Sequence, residues 1–421
     1  LRSDLSYDFD RTWKLRWVAS RRTADQDFDH VFLGTWCNAQ GQTSTGGRCN
    51  WQNRVNQNYA WQTTRNRTTT HTLDLTGLVQ TGSLTHDLLV GFEHSDEERR
   101  PIVSSQRNYI TIDPYNPSWP ADRGTRPAAN INRLHEARSQ GVYVQDLVSF
   151  TEQWKVLLGL RQDHYRFRST DYLKGESRSY KGHSLSQRAG VIYQPVPEHS
   201  LYASCKSFAP FGGRGMIQLQ TGPSVVYDAD PQYSRQMEMG VKSDWANNAF
   251  STQFAVYQLE HYNIRYQPDA DNDPYTWAVR GKERSRGVEF PLTGRLVDDW
   301  YVRGGVGLTQ AKVVSDVAQP ELTGKKLRNV ARRNGNLFVR YAPEGAWYGE
   351  VGVTHASPRW LNATNTQELP GYTRWDAMVG WRQAPWTVTL GITNLTDRTY
   401  WRASNMPGTP RTVLMTANYQ F

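Results

Sequence analysis

The sequence predicts an all-β chain, folded as a transmembrane antiparallel β-barrel with short periplasmic turns and long extracellular loops. Three observations carry this. Apolar residues recur at every second position from one end of the chain to the other, short polar turns alternate with longer connections, and tryptophans mark strand ends beside the short turns. Mean hydropathy is only −0.71, yet the 421 residues include 16 Trp, 22 Tyr and 13 Phe. A disordered chain has few aromatics, so these rings must be organised. No run of ~18 apolar residues occurs, which excludes a helical span. The opening LRSDLSYDFD holds no apolar stretch of signal-peptide type and reads as internal sequence. A membrane barrel needs no hydropathy peak, because only alternate residues face lipid.

Taken in order, RTWKLRWVAS sets Trp13, Leu15, Trp17 and Ala19 against Thr12, Lys14, Arg16 and Val18. The pattern returns in QWKVLLGLRQ, DWYVRGGVGLTQ and PWTVTLGITN, and in the final TVLMTANYQF, where Val413, Met415, Ala417, Tyr419 and Phe421 share a face. Short turns are expected at Asp8–Arg11, Thr81–Ser83, Thr151–Gln153, Pro195–Glu198, Ala246–Asn248, Val297–Asp299, Pro343–Gly345 and Gln383–Pro385. Long connections are expected over 24–58, 98–135, 169–184, 209–233, 264–282, 315–332, 358–370 and 398–409, in strict alternation with the turns. This gives about seventeen strands, eight hairpins and a closing strand. Bacterial barrels have even numbers, so further strands are expected ahead of Leu1, since an open edge in lipid costs several kcal/mol per orphan group.

Trp13, Trp154, Trp300, Trp347 and Trp386 begin strands just after short turns, and Trp245 ends one just before a turn. The first five are in phase with the apolar face and all six sit at one height, as a membrane girdle requires. A soluble sandwich would scatter them.

The formal charge of +9 favours anionic partners. Lys14, Arg16, Arg161, Arg303 and Arg340 appear singly rather than as a stripe, so no nucleic acid is expected, whereas anionic headgroups or an anionic ligand fit. Cys37 and Cys49 share the loop GTWCNAQGQTSTGGRCNWQ, which predicts a disulfide and an oxidising compartment, and Cys205 is left as a small strand residue. The ten His are isolated, and no nucleophile elbow, phosphate loop or metal-ligand spacing occurs, so no enzyme, metal or cofactor is expected. The loop side is dense in aromatics. Ligand-binding candidates are Trp36, Trp51, Tyr115, Trp119, Phe208, Phe211, Tyr227, Tyr266, Tyr275, Trp277, Trp360 and Trp401. Tyr262, Tyr266, Tyr400 and Trp401, beside strand ends, fit an outer girdle equally well. Arg107, Arg214, Arg265 and Arg280 offer cations to an anionic ligand or to lipopolysaccharide phosphates, with a solvated face as the plainer reading for each. Asp269, Asp271 and Asp273 read as an acidic loop tip without the remainder of a Ca²⁺ loop.

The chain resembles the C-terminal barrel portion of TonB-dependent siderophore receptors. The ending NLTDRTYWRASNMPGTPRTVLMTANYQF is similar to the family's Asn-Leu-x-Asp-x-x-Tyr segment leading to Gly-x-Pro-Arg and a last strand closing on Phe, through Asn394, Leu395, Asp397, Tyr400, Gly408, Pro410 and Arg411. SQRAGVIYQPVPEHSLYASCKSFAP, SRQMEMGVKSDW, SRGVEFPLTGRL and GVYVQDLVSFTEQWKVLLGLRQDHY follow the family's order. The resemblance implies a single barrel domain over 1–421, N-terminally truncated and without signal peptide, TonB box or plug, with about seventeen of twenty-two strands. It implies ferric siderophore uptake across the outer membrane, energised by TonB through the missing plug. It also implies contact with outer-membrane lipid and lipopolysaccharide, Phe421 as the signal to the barrel assembly machinery, and a monomer. The Tyr400-Trp401 and Gly-x-Pro-Arg ending hints at hydroxamate-type ligands. One departure stands out: Tyr202-Ala203-Ser204-Cys205-Lys206-Ser207-Phe208 is one residue shorter than the family's run, so either a bulge absorbs the slip or the strand is damaged. The rival readings are a passive porin, a receptor for cobalamin or haem, and a soluble β-rich binding protein.

Overall fold

The structure, a computed structural model, describes residues 1–43, 47–118, 126–208, 232–266, 278–403 and 406–420. One sheet of seventeen strands dominates it, each paired antiparallel with its sequence neighbour. In chain order they are β1 (Arg2–Asp8), β2 (Trp13–Cys37), β3 (Arg54–Thr81), β4 (Leu84–Ile112), β5 (Ile131–Ser149), β6 (Trp154–Asp171), β7 (Glu176–Val196), β8 (His199–Phe208) and β9 (Tyr233–Trp245). Then follow β10 (Phe250–Tyr266), β11 (Ala278–Val297), β12 (Trp300–Asp316), β13 (Arg333–Tyr341), β14 (Trp347–Ala356), β15 (Tyr372–Gln383), β16 (Trp386–Thr393) and β17 (Thr412–Tyr419). Two small ribbons lie in the loops, Arg359–Trp360 with Glu368–Leu369 and Trp401–Ala403 with Met406–Pro407. Among the described residues β1 and β17 are not paired with each other, and each strand is exposed along its whole length.

The two faces sort as the alternation predicts. Leu158, Met239, Val306 and Val351 are 52%, 61%, 60% and 52% exposed, and apolar exposure on this scale marks a surface that faces something other than water. The opposite face is polar and cross-linked. Tyr143 donates to Asp74 at 2.5 Å, Arg161 meets Asp163 at 2.8 Å and Glu93 at 3.2 Å, and Arg303 meets Glu350 at 2.6 Å.

All eight short turns lie where the sequence places them. Ala246, Asn247 and Asn248 take consecutive φ values of 53°, 55° and 64°, a left-handed run that asparagine tolerates and that reverses the chain between β9 and β10. Tryptophans at this end pair across strands. Trp154 stacks on Tyr193 at 4.5 Å, Trp300 lies tilted against Tyr341 at 4.9 Å, Trp386 meets Tyr419 edge-on at 4.9 Å, and Trp245 meets His199 at 4.8 Å. Trp347 lies opposite Trp381 in register. Trp13 is half-covered because its ring lies over Gly77, where a Cβ would overlap it.

Three expectations need correction. First, the connections expected over 24–58 and 98–135 are shorter, since β2 runs to Cys37, β3 starts at Arg54, β4 ends at Ile112 and β5 starts at Ile131. The stretch ADQDFDH, residues 24–30, is mostly polar and reads as loop, but it pairs residue for residue with β3, where the Thr63 hydroxyl donates to Asp27 at 2.9 Å. Second, the connection expected over 169–184 is a tight turn between Asp171 and Glu176, so short and long connections do not strictly alternate. Third, the short segment at Cys205 carries no bulge. β8 pairs without a slip with β9 from His199 to Phe208, and the register shift falls instead between Tyr193 and Val196, in front of the next turn. A proline there, Pro195, has no N–H to lose from the ladder.

Candidate functional site

At the long-loop end, the connections that follow β12, β14 and β16 interlock. The last is fastened by the motif that ends the chain. Asn394 is fully buried, its Nδ2 donates to the carbonyls of Arg398 at 2.9 Å and Thr409 at 3.0 Å, and its Oδ1 accepts the Arg398 N–H at 2.9 Å. Asp397 accepts the Arg411 N–H at 2.8 Å. The Tyr400 ring fills the space over Gly408, where any Cβ would overlap it, and its hydroxyl accepts from Arg374 at 3.0 Å. Tyr400 is 3% exposed and pairs with Tyr372 at 4.4 Å, so it is neither girdle nor ligand surface. The matching residues at the end of the chain close a loop, and their geometry carries no preference among ligands.

Arg359 ties the three connections together. It is 5% exposed, its Nε donates to Asn329 Oδ1 at 2.8 Å, and one Nη donates to the carbonyls of Trp401 at 2.7 Å and Arg402 at 2.6 Å. Asn365 adds a second tie, accepting the Lys326 N–H at 2.8 Å and donating to its carbonyl at 2.9 Å. Nothing in the local sequence marks Arg359, because its partners lie 30, 42 and 43 residues away.

These ties hold out a basic segment that the sequence reading passed over. GKKLRNVARR places exposed Lys325, Lys326, Arg328, Arg332 and Arg333 within one short stretch, so the cations are not all scattered singly. Lys326 lies over the Trp360 ring at 5.9 Å. A concavity of about 1400 Å³ is lined by Lys326, Arg332, Arg333, Ser357 and Glu368 from this side, and by Glu238, Tyr257, Arg286 and Thr309 from the wall. Its lining takes in outward residues such as Met239 and Leu308 as well as inward ones, so its full volume is not that of a ligand site.

Of the candidate aromatics, Trp360 follows Arg359 and lies under Lys326, and the Trp401 carbonyl accepts from the Arg359 guanidinium, which links their two loops. Trp36 and Trp51 form a second group around the bonded Cys37 and Cys49, whose Cα atoms are 6.0 Å apart, with Trp51 donating to the Thr35 carbonyl at 3.3 Å. Tyr115 stands apart and is 89% exposed. Tyr262 bonds Glu260 and lies under Lys282 at 4.6 Å. Trp119, Phe211, Tyr227, Tyr275, Trp277 and Phe421 lie outside the described residues, as do Arg214 and the acidic tip at Asp269, Asp271 and Asp273. Phe208 and Tyr266 end strands β8 and β10, and Arg107, Arg265 and Arg280 lie in strands, but the side chains of these five are outside the described set.

Beyond the apolar band, the tip of β5 and β6 carries a buried ionisable cluster. Arg133 meets Asp171 at 2.8 Å, and His135, 1% exposed, stacks on Phe167 at 6.0 Å. Burial, with the Arg133 and Arg99 cations beside it, pushes His135 down to about 4. Burial raises Asp171, but Arg133 and the N–H groups of Lys174 and Leu173 outweigh it and leave the carboxyl below its ordinary range. Both groups act in the same direction. Neutral His135 is favoured by folding, so its contribution is complete above pH ~6.5 and is lost as pH falls toward ~4. Amide exchange at this tip, corrected for the intrinsic pH effect, is expected to accelerate over that range by the equivalent of on the order of 3 kcal/mol. His135→Gln should flatten the response, and unchanged exchange down to pH 4 would contradict the assignment.

Comparison with known proteins places this arrangement. The family model described as "TonB dependent receptor-like, beta-barrel" matches residues 1–395. The metal-pseudopaline receptor CntO of Pseudomonas aeruginosa strain PAO1 is 28% identical over 445 residues, covering 100% of this chain and 59% of its own length. The ferrioxamine B receptor of Salmonella typhimurium strain LT2 is 25% identical over 427 residues, covering 96% of this chain and 55% of its own. The crystal structure of the siderophore receptor PiuA from Acinetobacter baumannii superposes with a TM-score of 0.83 at 20% identity, over 99% of this chain and 63% of that one, which establishes the fold. The chain thus spans little more than half the length of these curated relatives.

Proposed function

Since the chain belongs to the TonB-dependent receptor β-barrel family and is a protein of the outer membrane, we propose that it forms the barrel of a receptor for ferric siderophores. The observation that carries this is the interlocked loop end, where Arg359 ties the Trp360 segment to the Trp401 carbonyl and Lys326, one of five exposed cations in a short run, lies over the Trp360 ring. A ferric chelate built on carboxylate or catecholate oxygens presents net negative charge together with flat apolar rings or chains. Cations give such a ligand long-range attraction, and indoles give it area at little entropic cost. Iron is the cargo here, already wrapped by its chelator. Metal ligation by the protein is unnecessary, no cofactor is needed, and the reading includes no catalysis.

The remaining length of the relatives leaves room for a plug that TonB engages and for strands that would cover the unpaired edges of β1 and β17. On this reading the receptor works as a monomer, with the barrel assembly machinery recognising its closing strand.

The test uses the complete receptor in detergent, with tryptophan fluorescence following a panel of ferric siderophores and their iron-free forms. Saturable quenching by at least one ferric complex is expected. Lys326→Gln/Arg332→Gln/Arg333→Gln should weaken it by roughly tenfold or more, as the loss of several charge-assisted contacts implies. Absence of binding across the panel, with uptake that persists after the proton-motive force is collapsed, would instead support a passive pore.

A further inference from the structure

The ten histidines stand apart in the sequence, but the register of the wall gathers four of them. His71 on β3 lies opposite His94 on β4, His94 opposite Gln140 on β5, Gln140 opposite His164 on β6, and His164 opposite His183 on β7. All five share the outward face with Leu73, Phe92 and Val142, exposed apolar residues two positions nearer the short turns.

The row sits at a boundary. From Trp154 in the girdle to His164, β6 advances about 33 Å along the strand, or about 25 Å along the membrane normal at a tilt near 40°, which is the height of the apolar band in such barrels. Imidazoles at this height reach water, as those deeper in hydrocarbon do not.

The two directly opposed pairs differ. His71 and His94 are half-buried, the His71 ring is stacked on Trp17 at 6.0 Å, and His94 Nδ1 is closed to solvent with no hydrogen-bond partner. His164 and His183 are exposed, with ring centroids 6.2 Å apart and planes at 34°, and neither is hydrogen-bonded among the described residues. Opposed residues of an antiparallel pair have Cβ atoms about 4.5–5.5 Å apart, so a small rotation of either ring brings two nitrogens onto one ion at about 2.1 Å from each. Gln140, exposed and opposite His164 from the other side, offers an amide oxygen in the same row.

The chemistry of the row selects the ion. Calcium and magnesium take oxygen ligands, carboxylates above all. The next row toward the loops holds Asp96, Arg138, Arg166 and Lys181, and its one acid already meets Arg138 at 2.9 Å. Cations so near oppose any ion held by charge alone. What remains is a pair of nitrogen donors, which suits copper, nickel and zinc. Among the described residues no group of three His, Cys, Asp or Glu is assembled for a metal, so water completes the coordination of a two-histidine chelate.

We propose that His164 and His183 form a chelating site for a divalent transition metal, copper(II) most tightly, which braces β6 to β7 where the barrel leaves the bilayer. The site faces outward and takes a hydrated ion. It is therefore separate from the loop end and from the chelated iron that the loops receive.

The test takes the complete, untagged receptor in detergent and titrates it with copper(II), followed by calorimetry and by electron paramagnetic resonance. Wild-type protein should bind copper(II) more tightly than nickel(II) or zinc(II), with two nitrogens resolved in the copper spectrum. His164→Ala and His183→Ala should each weaken binding by on the order of a hundredfold, the gain that joining two donors supplies, while His71→Ala/His94→Ala should change it by less than about twofold. A wild-type spectrum with a single nitrogen would overturn the proposal without reference to any variant. Equal affinity in wild type and the two single variants would also overturn it, as would displacement of copper by magnesium at comparable concentration. Ferric siderophore binding by the same preparations should not change with His164→Ala or His183→Ala, so the receptor reading and the metal site can each fail alone.

Discussion

Replacing Asn394 by alanine is expected to unfasten the last long loop, exposing residues 395–411 to amide exchange about a hundredfold or more faster while the wall stays protected. Two costs add. The side chain makes three hydrogen bonds in a site closed to water, to the Arg398 and Thr409 carbonyls and from the Arg398 N–H, and stranding such partners costs roughly 1–3 kcal/mol each. Asn394 also sits at φ 56°, where alanine carries a penalty of about 1 kcal/mol that asparagine partly escapes. Glycine at 394 removes the second cost alone, so Asn394→Gly should fall between wild type and Asn394→Ala. If the two variants exchange identically, backbone strain plays no part; if both match wild type, the motif does not close the loop.

The second large effect belongs to Arg359. Its guanidinium reaches Asn329 and two carbonyls of the final loop, and no smaller side chain spans that set. Arg359→Ala should release the final loop from the other two connections, which Asn365 still joins through Lys326, at a cost of about 3–5 kcal/mol for a buried, multiply bonded cation. Ferric siderophore affinity should then drop by ten- to a hundredfold, with the strand signal in circular dichroism unchanged. Arg359→Lys should recover little, because a point charge cannot serve all three acceptors. Full affinity in Arg359→Ala would show that the loops are positioned by something else.

How far these features were legible in the sequence follows from how local their causes are. The wall was readable because alternation, turn chemistry and the position of Trp154, Trp300, Trp347 and Trp386 are all set within a few residues. The Cys37–Cys49 bond was readable for the same reason, with a separation of 12. The extension of β2 to β4 was not, because charged and polar runs such as ADQDFDH at 24–30 look like loop until a partner strand lies beside them. Arg359 was hidden by distance along the chain. The basic run at Lys325 to Arg333 was visible and was missed because charge was weighed over the whole chain instead of loop by loop. The bulge expected near Cys205 is absent, and the register shift of this hairpin lies between Tyr193 and Val196.

The central claim is that odd and even positions along one strand meet different solvents. A nitroxide scan of β6 from Lys155 to Arg161, in a Cys205→Ser background reconstituted in lipid vesicles, tests it most directly. Labels at Val156, Leu158 and Leu160 should relax with oxygen dissolved in the bilayer, and labels at Lys155, Leu157, Gly159 and Arg161 with a water-soluble nickel complex. A scan in which neighbouring positions respond alike, or all respond to nickel, would contradict a wall with lipid on one side and water on the other.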